Sequence, residues 1–388
     1  MKTEIAIPLP ELTESQVRRC AGTREALGQL ENVEGAVYFD RYMDFVLYDP
    51  GFGYYQAASE TIGPAGDFVT LPESTTLFAR TLASVAADLF RMGLPHTIIE
   101  VGPGTGRLSL AMSRELLRLE CVPDQHLLIE PSPIQTRRQA ALWSREKSSG
   151  IRLPEWKVRP PAEEWSGLMV LNEIVDAWPV VLMEKAASGW FEWGVNVKGP
   201  TLSWQALPLR AGTQLMLENL ESQYGPFPVP YRTEWNPSLD TRLKALLGNC
   251  REGCAIVIDY GYPRRLYYHP ERYRGTLACY LQHRTHADPL YAPGAQDITA
   301  MVDFTALAEA FEEAGWTLDG FARMAPFVLA ARNWEGTPSG QEHWTWIQDV
   351  LRLTSPEEAG ELFRVMIHTK GKVPSWEGWD QCDESERL

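Results

Sequence analysis

Glu100-Val101-Gly102-Pro103-Gly104-Thr105-Gly106 is the stretch whose residue types and spacing most directly imply chemistry. The apolar run Thr97-Ile98-Ile99-Glu100-Val101 reads as a buried strand, and residues 108–119 as the helix that follows it. Glycines at such a junction let the backbone turn tightly and approach a ligand with no Cβ in the way. In doubly wound sheets the carboxyl end of a strand is where ligands bind. A dinucleotide fingerprint, G-x-G-x-x-G, would place its third glycine at position 107, which is Arg107. The acid-first G-x-G-x-G form is instead the pattern of S-adenosylmethionine (SAM) sites. Glu100, Gly102, Gly104 and Gly106 are therefore candidate cofactor residues, with an ordinary strand-to-helix turn as the plain alternative.

The next strand, 126–130, ends in Glu130. A carboxylate there can accept both ribose hydroxyls of an adenosine through charge-assisted hydrogen bonds. NAD would use the same group, so Glu130 indicates a nucleoside without separating SAM from NAD. The strand at 168–171 leads into Asn172-Glu173-Ile174-Val175-Asp176. Methyl transfer from a sulfonium is an in-line displacement in which the enzyme aligns and desolvates the nucleophile and, where needed, takes its proton. Asn172, Glu173 and Asp176 are the candidate catalytic residues. In a helical turn Glu173 and Asp176 share one face, where two carboxylates could fork onto a guanidinium. Acids decorating a helix N-terminus are the alternative.

The elements that must position these groups alternate. Strands are expected at 97–101, 126–130, 156–158, 168–171 and 255–260, with helices between them, which argues for a parallel, doubly wound sheet. Helix 304–314, the segment 316–323 and a late strand at 363–368 would complete it. A helix is expected within 12–31, an amphipathic aromatic segment at 38–48 ending at Asp49-Pro50-Gly51, and one helix from Pro72 to about Met92. The expected organisation is an N-terminal helical extension or lid (1–75), a core (76–180 and 246–372), an inserted, partly β subdomain (181–245) and a C-terminal tail (373–388). The insertion carries Trp190, Trp193, Trp204 and Trp235, whose exposure would suit a homodimer contact.

The 388 residues carry 36 Lys and Arg against 51 Asp and Glu, a formal charge of −15, which argues against a general nucleic-acid binder. No apolar run reaches the ~18–20 residues of a membrane span, and the start shows neither a secretory nor a transit pattern. Six scattered cysteines without a C-x-x-C pair fit reduced thiols in a cytoplasmic protein. Cys250 and Cys254 with His283 and His286 match no standard zinc spacing, so no metal is expected.

These residues carry a resemblance. YFDRYMDFVLYDPGFGYYQ (38–56), GDFVTLPES (66–74), EVGPGTGRL (100–108), LLIEPSP (127–133), LNEIVDAWPV (171–180), VIDYGYP (257–263), the block 274–307 and ELFRVMIHTKG (361–371) are similar to the MidA family of SAM-dependent methyltransferases. The resemblance implies a class I methyltransferase core with extra N-terminal helices and an insertion before the fifth strand. It implies cofactor contacts from Gly66, Asp67, the Gly102–Gly106 loop and Glu130, and an acceptor bordering 172–176. It also implies a protein arginine as methyl acceptor, with a respiratory complex I subunit as the candidate partner. The chain departs from the family pattern at Val181, Met301 and Ile174-Val175. A catalytically silent assembly factor, a small-molecule methyltransferase and, last, a nicotinamide enzyme stand as alternatives. Asp259 reads equally as lining the acceptor cleft or as bonding its own turn, and Asp297, Thr299 and Asp303 as ordering the lid.

Overall fold

The computed structural model describes residues 9–30, 32–57, 63, 66–67, 70–146, 149–198, 201–331 and 341–388. Contacts divide the chain into two compact units. One comprises Met1–Val69, Trp178–Pro237 and His269–Ala300, the other Thr70–Ala177, Ser238–Tyr268 and Met301–Leu388.

The second unit's sheet runs, among the described residues, through β1 (Thr97–Val101), β2 (Gln125–Ile129), β3 (Glu155–Lys157), β4 (Trp165–Asn172), β5 (Cys250–Tyr262), β6 (Thr317–Arg323) and β7 (Phe363–Lys370). Their order across the sheet is β6-β7-β5-β4-β1-β2-β3, and the two-residue strand Val302–Asp303 pairs with the end of β5. Strands β1 to β5 pair in parallel. Leu168 to Leu171 and Cys254 to Ile258 are fully buried, the continuous apolar runs of strands covered on both faces. This is the class I methyltransferase arrangement. It departs from an all-parallel sheet at one edge, where β7 runs antiparallel to both β5 and β6. A strand buried on both faces has the same apolar pattern in either direction, so its sense cannot be read from composition.

Helices α1 (Thr76–Arg91), α2 (Arg107–Arg118), α3 (Pro133–Trp143), α4 (Leu239–Leu247) and α5 (Phe304–Glu313) belong to this unit. The single helix expected from Pro72 onward is two. Leu71–Ser74 forms one turn, Thr75 turns extended (φ −150°), and its side chain caps α1 by accepting from the Leu77 amide at 3.0 Å. One face of α1, with Leu77, Phe78, Leu82, Val85 and Leu89, is buried in the main core. The segment expected as a tail joins that core as well. Trp376 and Trp379 are buried there, Trp379 Nε1 donates to Asp319 Oδ2 at 2.8 Å, and Arg323 pairs with Glu384. Two tryptophans bury too much apolar area to be left on a solvated tail.

The first unit centres on an antiparallel sheet in which Val181–Ala186 pairs with Gly189–Asn196 and Tyr231–Trp235. Ser203–Leu207 and the N-terminal strand Ala36–Tyr38 both pair with Gly189–Asn196. The N-terminal extension and the insertion, expected as two pieces, thus share one sheet. Residues 269–300, expected in the core, also group here. Thr276 and Leu277 amides and the Thr276 hydroxyl close on the buried Glu234 carboxylate, and the Arg232 amide donates to the Tyr273 carbonyl at 2.9 Å. Residues 238–245, expected in the insertion, group with the sheet unit through α4, which packs beside α5. The insertion tryptophans are part-buried in their own unit: Trp190 lies edge-on to Phe227 and Tyr231, and Trp193 edge-on to Trp204.

Candidate active site

The register of the second unit's sheet assembles the site. Val101 at the end of β1 lies opposite Leu171 of β4 on one side and Ile129 of β2 on the other. Asn172 lies opposite Ile258 of β5. The segments that follow, Gly102–Gly106, Glu130, Glu173–Asp176 and Asp259, therefore emerge side by side at the carboxyl edge. Strand order reverses between β1 and β4, which is the switch point where such sheets hold ligands.

Gly102, Gly104 and Gly106 have φ of +59°, +54° and +82°, the left-handed region that L side chains rarely enter. The Gly102 amide donates to the Ile129 carbonyl at 2.9 Å, and Gly106 precedes α2 directly. A Cβ at Gly102 would lie 2.4 Å from Ile174 Cδ1, so the segment after β4 closes against the start of the glycine loop.

Glu130 is buried, with one oxygen accepting the Ser132 amide at 2.8 Å and the other accepting Gln139 Nε2 at 3.0 Å. Burial raises its pKa, and these two donors offset part of that shift. A carboxylate has about four acceptor positions, so two donors leave capacity for a diol. Gln139, on α3, was not singled out from the sequence. It is fully buried, its Nε2 also donates to the Gly104 carbonyl at 2.8 Å, and its Oε1 accepts Trp156 Nε1 at 2.8 Å. Glu73, which the sequence suits only to a helix N-terminus, bonds the Thr105 hydroxyl and pairs with Arg107 Nε at 3.0 Å. Glu73 of the 71–74 turn and the arginine in place of a third glycine together pin the loop.

Glu100 differs from the expectation of a ligand contact. Its carboxylate is buried and bonded by Ser109 of α2, whose hydroxyl also meets His126 Nε2 at 3.0 Å, while Ser113 meets His126 Nδ1 at 3.2 Å. Burial lifts Glu100 to about 7 and depresses His126 to about 4. Gly66 and Asp67 belong to the first unit, where the Asp67 carboxylate accepts the Tyr54 hydroxyl and the Gln282 amide, each at 2.8 Å.

After β4 the chain forms bends and a turn where a helix was anticipated, and Glu173 takes a left-handed φ of +52°. Glu173 and Asp176 therefore do not share a helix face. Asn172 Nδ2 donates to Glu173 Oε1 at 3.2 Å. Asp176 is 4% exposed; one oxygen accepts the Tyr260 hydroxyl and the other, Oδ1, has no partner. Asp259 is fully buried and bonds backbone: it accepts the amides of Val175 (3.0 Å), Asp176 (3.2 Å) and its neighbour Tyr260 (2.9 Å). Burial pushes Asp176 up to about 6 and Asp259 well above the carboxylate range, with Asp176 and Glu173 adding repulsion. Asp303 caps α5 and pairs with Arg264, and in the first unit Asp297 accepts the Tyr55 hydroxyl at 2.8 Å.

Residues 78–322 match the sequence model of a family of S-adenosyl-L-methionine-dependent methyltransferases, of the MidA type. The chain belongs to that family. A Burkholderia thailandensis protein solved bound to S-adenosyl-homocysteine superposes with a TM-score of 0.89 at 31% identity, covering 98% of this chain and all of that one. The chain is 27% identical to the Drosophila melanogaster "Protein arginine methyltransferase NDUFAF7 homolog, mitochondrial", over 87% of this chain and 82% of the relative. The mouse protein arginine methyltransferase NDUFAF7 is 26% identical over 70% of this chain and 66% of its own length. This methyltransferase uses SAM, and the glycine cradle beside a carboxylate at the next strand end fits an adenosyl ligand. Among the described residues no group of three or more His, Cys, Asp or Glu could hold a metal, and no helix is long and apolar enough to cross a membrane.

Proposed function

We propose that this methyltransferase modifies a protein side chain, an arginine, with SAM held by the Gly102–Gly106 loop and Glu130 and the acceptor bordering Asn172–Asp176. The observation that carries the reading is the buried Asp176 carboxylate in the turn that follows β4, with one oxygen lacking a donor that a guanidinium N–H would supply. The names of the fly and mouse relatives support it. When bound, SAM supplies an electrophilic methyl group. The acceptor nitrogen forms the new N–C bond with its lone pair, the C–S pair stays on sulfur, and the nitrogen's proton passes to a carboxylate of the Asn172–Asp176 segment and from there to water. A respiratory complex I subunit, which the family resemblance implies, is the first acceptor to try. A cytoplasmic location is part of the proposal, supported by six buried, unpaired thiols.

The test has two stages. Calorimetry with SAM compares wild type with Gly104→Val, which places a branched side chain at a left-handed glycine; equal affinities would sink the assigned cofactor cradle. Label transfer from methyl-tritiated SAM into cell extract, followed by hydrolysis, is then expected to yield methylarginine. Label found only in other residues or in small molecules overturns the arginine reading.

A further inference from the structure

The turn after β4 contains a carboxylate whose two oxygens differ sharply. Asp176 Oδ2 takes the Tyr260 hydroxyl, whereas Oδ1 is buried with no partner. Its backbone is fixed by Asp259, which receives the Val175 and Asp176 amides. The Tyr260 ring is fixed in turn by Phe363, edge-on at a centroid distance of 5.6 Å. Glu173 and Asp176 both repel the Asp259 carboxylate, so three acids gather at this turn. Arg364, paired with Asp259 in the β5–β7 register, turns its guanidinium to the carbonyls of Glu361 and Phe363. A buried acceptor without a donor is costly, and a site that leaves one open is complementary to a ligand that brings an N–H.

We propose that Tyr260 is a positioning residue for methyl transfer: its hydroxyl occupies one oxygen of the Asp176 carboxylate and so presents the other to an N–H of the methyl acceptor. The inference rests on the reading of 172–176 as the acceptor border, but it does not require the acceptor to be arginine. Tyr260 does not touch the reacting atoms. It acts through Asp176, selecting the oxygen that is free and favouring the ionised form that accepts best.

The experiment uses the full chain loaded with S-adenosyl-homocysteine and two probes, ethylguanidinium and ethylammonium, titrated calorimetrically from about pH 5 to pH 8. Wild type is expected to bind a probe with an affinity that falls as pH drops through about 6, where Asp176 takes up its proton. Tyr260→Phe removes a hydrogen bond to the charged form, so its midpoint moves up by about one pH unit. Its affinity is then about tenfold weaker at the acid end and converges with wild type at the basic end, with S-adenosyl-homocysteine affinity unchanged. Asp176→Asn is expected to give a flat profile. An identical pH profile in Tyr260→Phe overturns the proposal, and if that variant does not fold, a flat wild-type profile does so. Tyr260-dependent binding of ethylammonium without ethylguanidinium keeps this inference and removes the arginine reading. Binding of neither probe removes both.

Discussion

Gln139 holds the Glu130 carboxylate at 3.0 Å with the same amide nitrogen that it gives to the Gly104 carbonyl at 2.8 Å. One buried side chain thereby ties the strand-end acid to the glycine loop, and its own carbonyl is occupied by Trp156. Gln139→Leu removes both donors and leaves Trp156 Nε1 unsatisfied. A hydrogen bond to a charged group contributes roughly 1.5–3 kcal/mol, so affinity for S-adenosyl-homocysteine should fall by about tenfold or more. Calorimetry decides it; an unchanged Kd would show that the tie is dispensable.

Glu73 is almost wholly buried as a side chain while its partner Arg107 is 57% exposed. The exposed arginine discounts the pair itself to roughly 1 kcal/mol or less, and the Thr105 bond adds a second contact to the same loop. Glu73→Ala is expected to weaken cofactor binding several-fold with a melting temperature only slightly lowered. A large drop in melting temperature with normal binding would mean that Glu73 serves the fold and not the loop.

Glu100 and His126 lie in one buried network and titrate against folding from opposite sides. The Glu100 pKa is raised from 4.5 to about 7, so the native state holds its proton more tightly than the unfolded state, and stability is lost as pH rises between those values. His126 is depressed from 6.5 to about 4, so its contribution is lost as pH falls between those values. Each window corresponds to roughly 3 kcal/mol. Glu100→Gln removes the first penalty. Its melting temperature relative to wild type should be several degrees more favourable at pH 8 than at pH 4.5, and a pH-independent difference would contradict this.

Ile174 occupies the space where a Gly102 side chain would begin. Gly102→Ala therefore incurs both a left-handed φ, about 1–2 kcal/mol, and a collision with Ile174. It is expected to lower S-adenosyl-homocysteine affinity by tenfold or more. Adding Ile174→Ala should restore part of that loss by removing the collision alone. No recovery in the double variant would place the whole effect in the backbone.

The glycine loop, Glu130 and the alternation of strands and helices were legible because each rests on local physics. A left-handed turn selects glycine, and a buried parallel strand selects a continuous apolar run. Gln139 and Glu73 were not legible as loop ties, since a glutamine on a helix and an acid in a first helical turn have ordinary local reasons to be there. Glu173 and Asp176 are spaced for one face of a helical turn, but the Asp259 carboxylate collects the Val175 and Asp176 amides and holds the segment as a turn instead.

By itself the sequence determined the sheet's strands and the glycine turn with an acid at the next strand end, encoded by short-range spacing of glycine, acid and apolar residues, while the family resemblance rests on longer blocks such as 38–74 and 274–307. Tertiary structure alone decided the direction of β7, the single sheet shared by Ala36–Tyr38 and the insertion, and the Asp176 oxygen left without a donor. Those depend on partners tens to hundreds of residues away, such as Asp176 with Tyr260 or Val37 with Val195. Such pairs leave no periodic trace along the chain, because strand pairing and buried polar satisfaction are settled only when distant segments meet.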